Sequence, residues 1–153
     1  ISHVRRLRVH TRLPIVIPDR VDDALLAWLN GTRLAPTVVV HANHPAEIDE
    51  SCARALRRLV DAGVPVLNQS VLLAGVNDDE EVLAELSRRL LDARVMPYYL
   101  HQLDRVTGAA HFEVGDQEAR QLVRRLNDCL PGYAVPRLVR DVPGLGAKQS
   151  MFG

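Results

Sequence analysis

The chain has 153 residues, 47% apolar and 25% charged, with 19 basic residues set against 19 acidic ones. This is the composition of one ordinary folded domain rather than a disordered or fibrous chain, and the balanced charge removes the electrostatic case for a nucleic acid or an anionic membrane as partner. No apolar run approaches the roughly 20 residues of a membrane helix, no signal-peptide zones are present, and Cys52 and Cys129 form neither a disulfide framework nor a metal motif.

The expectation is therefore a cytoplasmic protein that handles a small molecule, supplies no metal ligands of its own and uses both thiols in core packing. The chain enters without an initiating Met on a basic and apolar run, and residues 7–9 read as a first strand. It reads as a piece of a longer protein. A short helix over residues 21–29 closes at Asn30-Gly31, and the β-branched run 37–40 is a second strand. Residues 48–62 form an amphipathic helix, with Cys52, Leu56, Leu59 and Val60 on one face and Arg54, Arg57, Arg58 and Asp61 on the other. Ala62-Gly63 suits a helix end that passes through a left-handed residue into a strand over 64–67.

The pattern repeats. A helix over 78–93 turns Val82, Leu83, Leu86, Leu90 and Leu91 inward, and its acidic first turn complements the helix dipole. A short apolar pair at 95–96 reads as the next strand. Residues 115–130 form a further helix with Asp116 as N-cap and Pro131-Gly132 as stop, followed by a strand over 134–139.

Strands alternating with helices at roughly 30 residues per unit imply right-handed crossovers and a parallel sheet. The fold class expected is α/β, about half of a (β/α) barrel over residues 1–153, with parallel strands and outer helices; the remaining units would lie upstream. In such a barrel the reactive face is at the C-terminal ends of the strands. Those positions are rich in polar residues: His41, Asn43 and His44; Asn68, Gln69 and Ser70; Tyr98, Tyr99, His101 and Asp104; and Asp141. Any one of them alone reads equally as a loop cap, but their recurrence argues for one lined pocket. Alternation along a strand predicts that one of Tyr98 and Tyr99 faces the barrel and the other packs under the helices. Lys148 follows the loop Pro143-Gly144-Leu145-Gly146-Ala147, whose glycines allow close backbone approach to a bound group, and a lysine amine delivered by such a loop can form a Schiff base.

These residues carry a resemblance. Asn68-Gln69-Ser70-Val71-Leu72-Leu73 followed by Gly75-Val76-Asn77-Asp78, then Met96-Pro97-Tyr98-Tyr99, then Gly108-Ala109-Ala110-His111-Phe112, and Asp141 ahead of the glycine loop ending in Lys148, together resemble the lysine 2,3-aminomutases. The similarity runs from Arg8 to Lys148, and the wording around His101, Leu103-Asp104 and 108–112 is most similar to the short bacterial branch that makes β-lysine for modification of elongation factor P.

The resemblance implies the C-terminal portion of a radical S-adenosylmethionine isomerase that interconverts L-α-lysine and β-lysine, with pyridoxal phosphate, S-adenosylmethionine and a 4Fe-4S cluster as cofactors. By residue it implies that Lys148, in the loop 141–150, holds pyridoxal phosphate; that Asp104 and Asp141 clasp the far ammonium of lysine; and that His41 and Gln69 contact S-adenosylmethionine. Asn43 and His44 are weaker matches. Homo-oligomerisation is left open. The chain departs from the family in one respect: no C-x-x-x-C-x-x-C run is present, so the cluster, the substrate-carboxylate arginine and the contacts to the cofactor phosphate must come from upstream, and this portion alone is expected to be inactive. Alternatives are an arginine or glutamate 2,3-aminomutase, a Schiff-base lyase or racemase without radicals, and a non-catalytic barrel remnant. Glutamate is disfavoured by the two acids standing where it would need a cation.

Overall fold

The computed structural model describes residues 1–104, 108–142, 144 and 146–152; Pro143 and Leu145 of the glycine loop lie outside the described residues, as do Gly153 and residues 105–107. Six strands form one sheet in the order β1 (Arg6–His10), β2 (Ala35–Val40), β3 (Val66–Val71), β4 (Met96–His101), β5 (Arg137–Arg140) and β6 (Gln149–Ser150). The first five pair in parallel, and β6 returns antiparallel to β5. Because each crossover joins the next strand in the same direction, right-handed connections put every helix on one face. That winding makes a half-barrel with an open inner face.

The helical wrap consists of a single turn α1 (Leu13–Val16) and four longer helices, α2 (Asp23–Asn30), α3 (Glu50–Asp61), α4 (Glu80–Asp92) and α5 (Asp116–Cys129). Asp22, Asp49 and Asp79 cap α2, α3 and α4 by accepting from backbone N–H groups of the first turn, which satisfies donors that have no partner inside a helix. The cap expected at Asp116 is instead Gly115; Asp116 is the first helical residue, and its carboxylate takes a bidentate contact from Arg140 on β5. Gly63 has φ +82° after α3, as its place behind Ala62 predicts, and Arg94 takes the same left-handed role after α4 with φ +60°.

Two apolar clusters lie between sheet and helices. One joins α2 and α3 to Val38, Val40 and Val66; the other joins α4 and α5 to Leu100 and Leu138. Alternate strand residues thus face the wrap, and those between them face the open side. Cys52 belongs to the first cluster, but Cys129 is exposed at the end of α5 and does not pack in the core as expected. The thiol of Cys52 is pushed up to about 11, chiefly by burial.

Strand lengths depart from the sequence reading in an informative way. The apolar runs at 64–67 and 95–96 are only the beginnings of β3 and β4, which continue through Asn68, Gln69 and Ser70 and through Tyr98, Tyr99 and His101. Buried polar side chains can occupy a strand when they are hydrogen-bonded. Asn68 accepts from the Ala42 amide at 2.9 Å and donates to the Ala42 carbonyl at 3.1 Å, and Ser70 donates to the same carbonyl at 2.7 Å. In the other direction, the predicted strand over 134–139 loses its start to a short turn, Gly132–Ala134.

Candidate active site

The residues that face the open side at the strand ends are His10 on β1, His41 just past β2, Gln69 on β3, Tyr99 and His101 on β4, Asp141 just past β5, and Lys148 just ahead of β6. Their placement depends on a scaffold behind them. Asn43 accepts from the Val71 amide at 2.9 Å, and fully buried Asn77 donates to the Asn43 carbonyl at 2.8 Å and the Val71 carbonyl at 2.9 Å. His44 caps the turn Pro45–Glu47, its Nδ1 accepting from the Ala46 amide at 3.1 Å. Asn43, His44, Asn68 and Ser70 therefore hold the loops in place rather than lining the site.

The β5–β6 hairpin brings Lys148 to the site. Arg140 stands opposite Gln149 in the antiparallel register, so the residues one step further out, Asp141 and Lys148, also stand opposite each other and project to the same face. The Lys148 ammonium donates to Asp141 Oδ2 at 2.7 Å, lies 3.4 Å from His101 Nδ1 and sits 5.8 Å from the centre of the Tyr99 ring. Neither β6 nor this opposition is legible in the sequence. Two residues cannot be recognised as a strand from composition, and only pairing with β5 makes them one.

The expected division of Tyr98 and Tyr99 between the two faces is overturned. A register irregularity between β3 and β4 pairs Asn68 with Pro97 but Gln69 with Tyr99, so Tyr98 is the extra residue. The bulge suspends alternation locally. Both rings then lie side by side with centroids 3.8 Å apart, and the Tyr98 hydroxyl donates to the Tyr99 hydroxyl at 2.9 Å. That contact is the largest cause holding the Tyr98 phenol above its ordinary pKa.

His41 and Gln69 also come together, with the Gln69 amide nitrogen 3.2 Å from His41 Nε2, while His10 packs edge-on against His41 at 6.0 Å. All three histidines of the site have lowered pKa values, with burial the largest cause in each; neighbouring Arg8 adds to it at His10, His10 at His41 and Lys148 at His101. For His101 the opposing pull comes from Asp141 and then Asp104. Asp104 is exposed, and its charge reaches His101. Of the residues singled out from sequence, Lys148 and Asp141 are thus in contact, His41 and Gln69 are in contact, and Asp104 acts on His101 through its charge without a contact to either pair.

His101 is named at its strand end with no role of its own and His10 is passed over, although the alternation Arg6-Leu7-Arg8-Val9-His10 marks His10 as facing away from Leu7 and Val9. Another signal lay in the composition: Lys148 is the single lysine among the 19 basic residues. A solvated surface lysine would not be expected to stand alone among arginines.

The residues fit a carbonyl cofactor bound through an amine. The Lys148 side chain is 30% exposed, free of the core and flanked by a carboxylate and an imidazole. Gln69 Oε1 and His101 Nε2 are buried with no hydrogen-bond partner among the described residues, leaving capacity that a bound group would satisfy. An iron–sulfur cluster does not fit: no group of three His, Cys, Asp or Glu side chains among the described residues could hold a metal ion. Cys52 is buried under α3, and Cys129 is distant in sequence at the end of α5.

The chain is 51% identical to the L-lysine 2,3-aminomutase of Escherichia coli over 97% of its own length and 43% of that protein. Along nearly its whole length the chain is a homologue of part of the L-lysine 2,3-aminomutases. It is 49% identical to the Haemophilus influenzae enzyme over 94% of its length, and 40% identical to that of Clostridium subterminale over 97%. The chain spans less than half the length of the curated aminomutases it matches. No protein-family model matches it. Among solved structures, a radical SAM methyltransferase from Sphaerobacter thermophilus superposes with TM-score 0.64 at 18% identity, over 90% of this chain and 41% of that one. A domain of a pyruvate-formate lyase-activating enzyme from Bacteroides vulgatus superposes with TM-score 0.52 at 13% identity, over 90% of this chain and 99% of that one. At those identities the likeness is one of fold.

Proposed function

We propose that this chain forms the part of a lysine 2,3-aminomutase barrel that holds pyridoxal phosphate through Lys148 and receives the side-chain ammonium of lysine at Asp141 and Asp104, for the interconversion of L-α-lysine and β-lysine. The observation that carries this reading is the 2.7 Å contact between the Lys148 ammonium and Asp141. It supports two inferences together: the loop lysine reaches the strand-end cluster, and the carboxylate at that cluster accepts a primary ammonium on a flexible aliphatic stem, the group a lysine substrate presents.

Pyridoxal phosphate, when bound, supplies an electron-delocalising ring system for the migrating amine. The chain's own residues supply position. Asp141 and Asp104 fix the far end of the substrate by charge, which favours a long cationic amino acid and disfavours glutamate. His41 and Gln69, held together at neighbouring strand ends, would hydrogen-bond S-adenosylmethionine, and the tyrosine pair lines the face beside them. The cluster that would cleave S-adenosylmethionine has no ligands in these residues, so turnover requires the remainder of the enzyme. The greater identity to the Escherichia coli and Haemophilus influenzae proteins than to the clostridial one favours the short bacterial branch and, with it, a cytoplasmic role in supplying β-lysine for elongation factor P.

The test is reductive trapping. Borohydride treatment of the intact enzyme with pyridoxal phosphate, followed by peptide mass mapping, should place the label on Lys148, which is the one lysine in these residues. The intact enzyme should convert lysine faster than arginine or glutamate. A label found only outside this chain would favour a non-catalytic remnant, and faster conversion of arginine would overturn the substrate assignment.

A further inference from the structure

Near the Lys148 amine lies a ring to which the proposed function assigns no task. His101 ends β4 with a side chain only 11% exposed, and its Nδ1 is 3.4 Å from Lys148 Nζ and 3.5 Å from Asp141 Oδ2. Its Nε2 is walled in, with no partner among the described residues. An ammonium has only donors, so the ring nitrogen facing it carries the lone pair and the hydrogen resides on Nε2. Asp141 Oδ2, 3.5 Å from Nδ1, already accepts from the Lys148 ammonium at 2.7 Å.

We propose that His101 is the positioning residue of the Lys148 amine: the neutral imidazole offers its Nδ1 lone pair to the amine and holds it at the strand ends, and protonation of the ring abolishes that hold. This rests on the reading of Lys148 as the cofactor lysine. Lys148 and Asp141 from the β5–β6 hairpin and Tyr99 from β4 itself lie against the ring, and the charges of Asp104 from the segment after β4 and His41 from the end of β2 reach it. Burial first, then Lys148, and more weakly His41, disfavour the cation, while Asp141 and Asp104 favour it. The balance lowers the pKa of the ring, so it remains neutral where the cofactor must load. Once the ring takes a proton, Nδ1 becomes a donor and a positive charge faces the ammonium, replacing an attraction with a repulsion.

The loading step balances simply. The Lys148 ammonium loses one proton to solvent, and the freed electron pair attacks the cofactor's aldehyde carbon. One water leaves as the carbon–nitrogen bond is completed. Its rate therefore scales with the fraction of neutral amine, multiplied by the fraction of neutral His101 if the ring positions it.

The experiment is the rate at which pyridoxal phosphate becomes fixed to Lys148 in the intact enzyme, quenched with borohydride and read by peptide mapping across pH. Wild-type enzyme is compared with His101→Phe and His101→Gln. The wild type should show a slope of about one in log rate against pH near neutrality, steepening toward about two on the acid side. His101→Phe fills the ring's volume without an acceptor and should slow labelling about fivefold, the scale of one hydrogen bond to the neutral amine. His101→Gln keeps an acceptor that does not titrate; it should recover most of the rate and keep a slope of about one into acid. If His101→Phe labels as fast as wild type, or if all three proteins share the steep acid limb, the positioning role is wrong while the assignment of Lys148 stands. If wild-type enzyme places no label on Lys148, the proposed function itself fails.

Discussion

Lys148 and Asp141 stand opposite each other at the loop end of the β5–β6 hairpin, ammonium to carboxylate at 2.7 Å. In this state the carboxylate assigned to the substrate is occupied by the chain's own lysine, which presents the same functional group that the substrate would. Engagement of Lys148 by the cofactor removes that competitor, so the cofactor should load before lysine binds.

Lys148→Met keeps the length of the side chain and removes its charge. In the intact enzyme it should abolish cofactor trapping and at the same time strengthen binding of lysine to the cofactor-free protein, as measured by calorimetry. Because both partners are substantially exposed, the lost ion pair should change stability by less than about 1 kcal/mol. Unchanged lysine affinity in the variant would show that Asp141 does not receive the substrate.

The two acids should be separable from the cofactor site. Asp141→Asn and Asp104→Asn each remove a charge from the cluster around His101, and each should raise KM for lysine about tenfold or more, the scale of a hydrogen bond between charged partners. Neither should move the trapped label away from Lys148. A KM unaffected by both substitutions would sink the assignment of the substrate's far end.

Stability should respond to the scaffold far more than to the site. Leu86 on the inner face of α4 is buried, and Leu86→Ala should cost about 2–5 kcal/mol. Asn77, fully buried and bonded to the backbone of Leu73, Val71 and Asn43, should cost at least about 2 kcal/mol as Asn77→Ala, since it leaves backbone groups unpaired. Urea midpoints of the intact enzyme would read both, with Lys148→Met as the contrast.

The lowered pKa values of His10, His41 and His101 fix a direction for the pH dependence of folding. Each is depressed in the fold, so between the folded values and about 6.5 the unfolded chain binds more protons. Their contribution is complete above about pH 6.5 and is lost as the pH falls through the window below it. Asp49 at the start of α3 is also lowered, first by the Cys52 amide, but a carboxylate's contribution is lost only in stronger acid. Denaturant midpoints should therefore drop between about pH 7 and about pH 5, and His101→Gln should shrink the drop. A flat profile over that range would contradict the burial of these rings.

Helices were legible in the sequence because their determinants are local. The apolar face of α3, the acidic start of α4 and the left-handed residue after Ala62 each depend on hydrogen bonds and side chains within a few residues. The alternation of helices with apolar strands was sufficient for the half-barrel, and residue types at the strand ends offered a larger set of polar residues, from which the resemblance to the aminomutases picked out Asp141, Asp104, His41 and Gln69 and to which it added Lys148. What each strand residue faces was not local. Asn68 and Ser70 became scaffold because Ala42 lies across from them, Tyr98 and Tyr99 came together because the ladder slips by one residue beside Gln69, and Lys148 met Asp141 because two residues of β6 pair with β5. A strand acquires its extent and its register only from a partner distant in the chain, so these contacts were decided by tertiary structure alone.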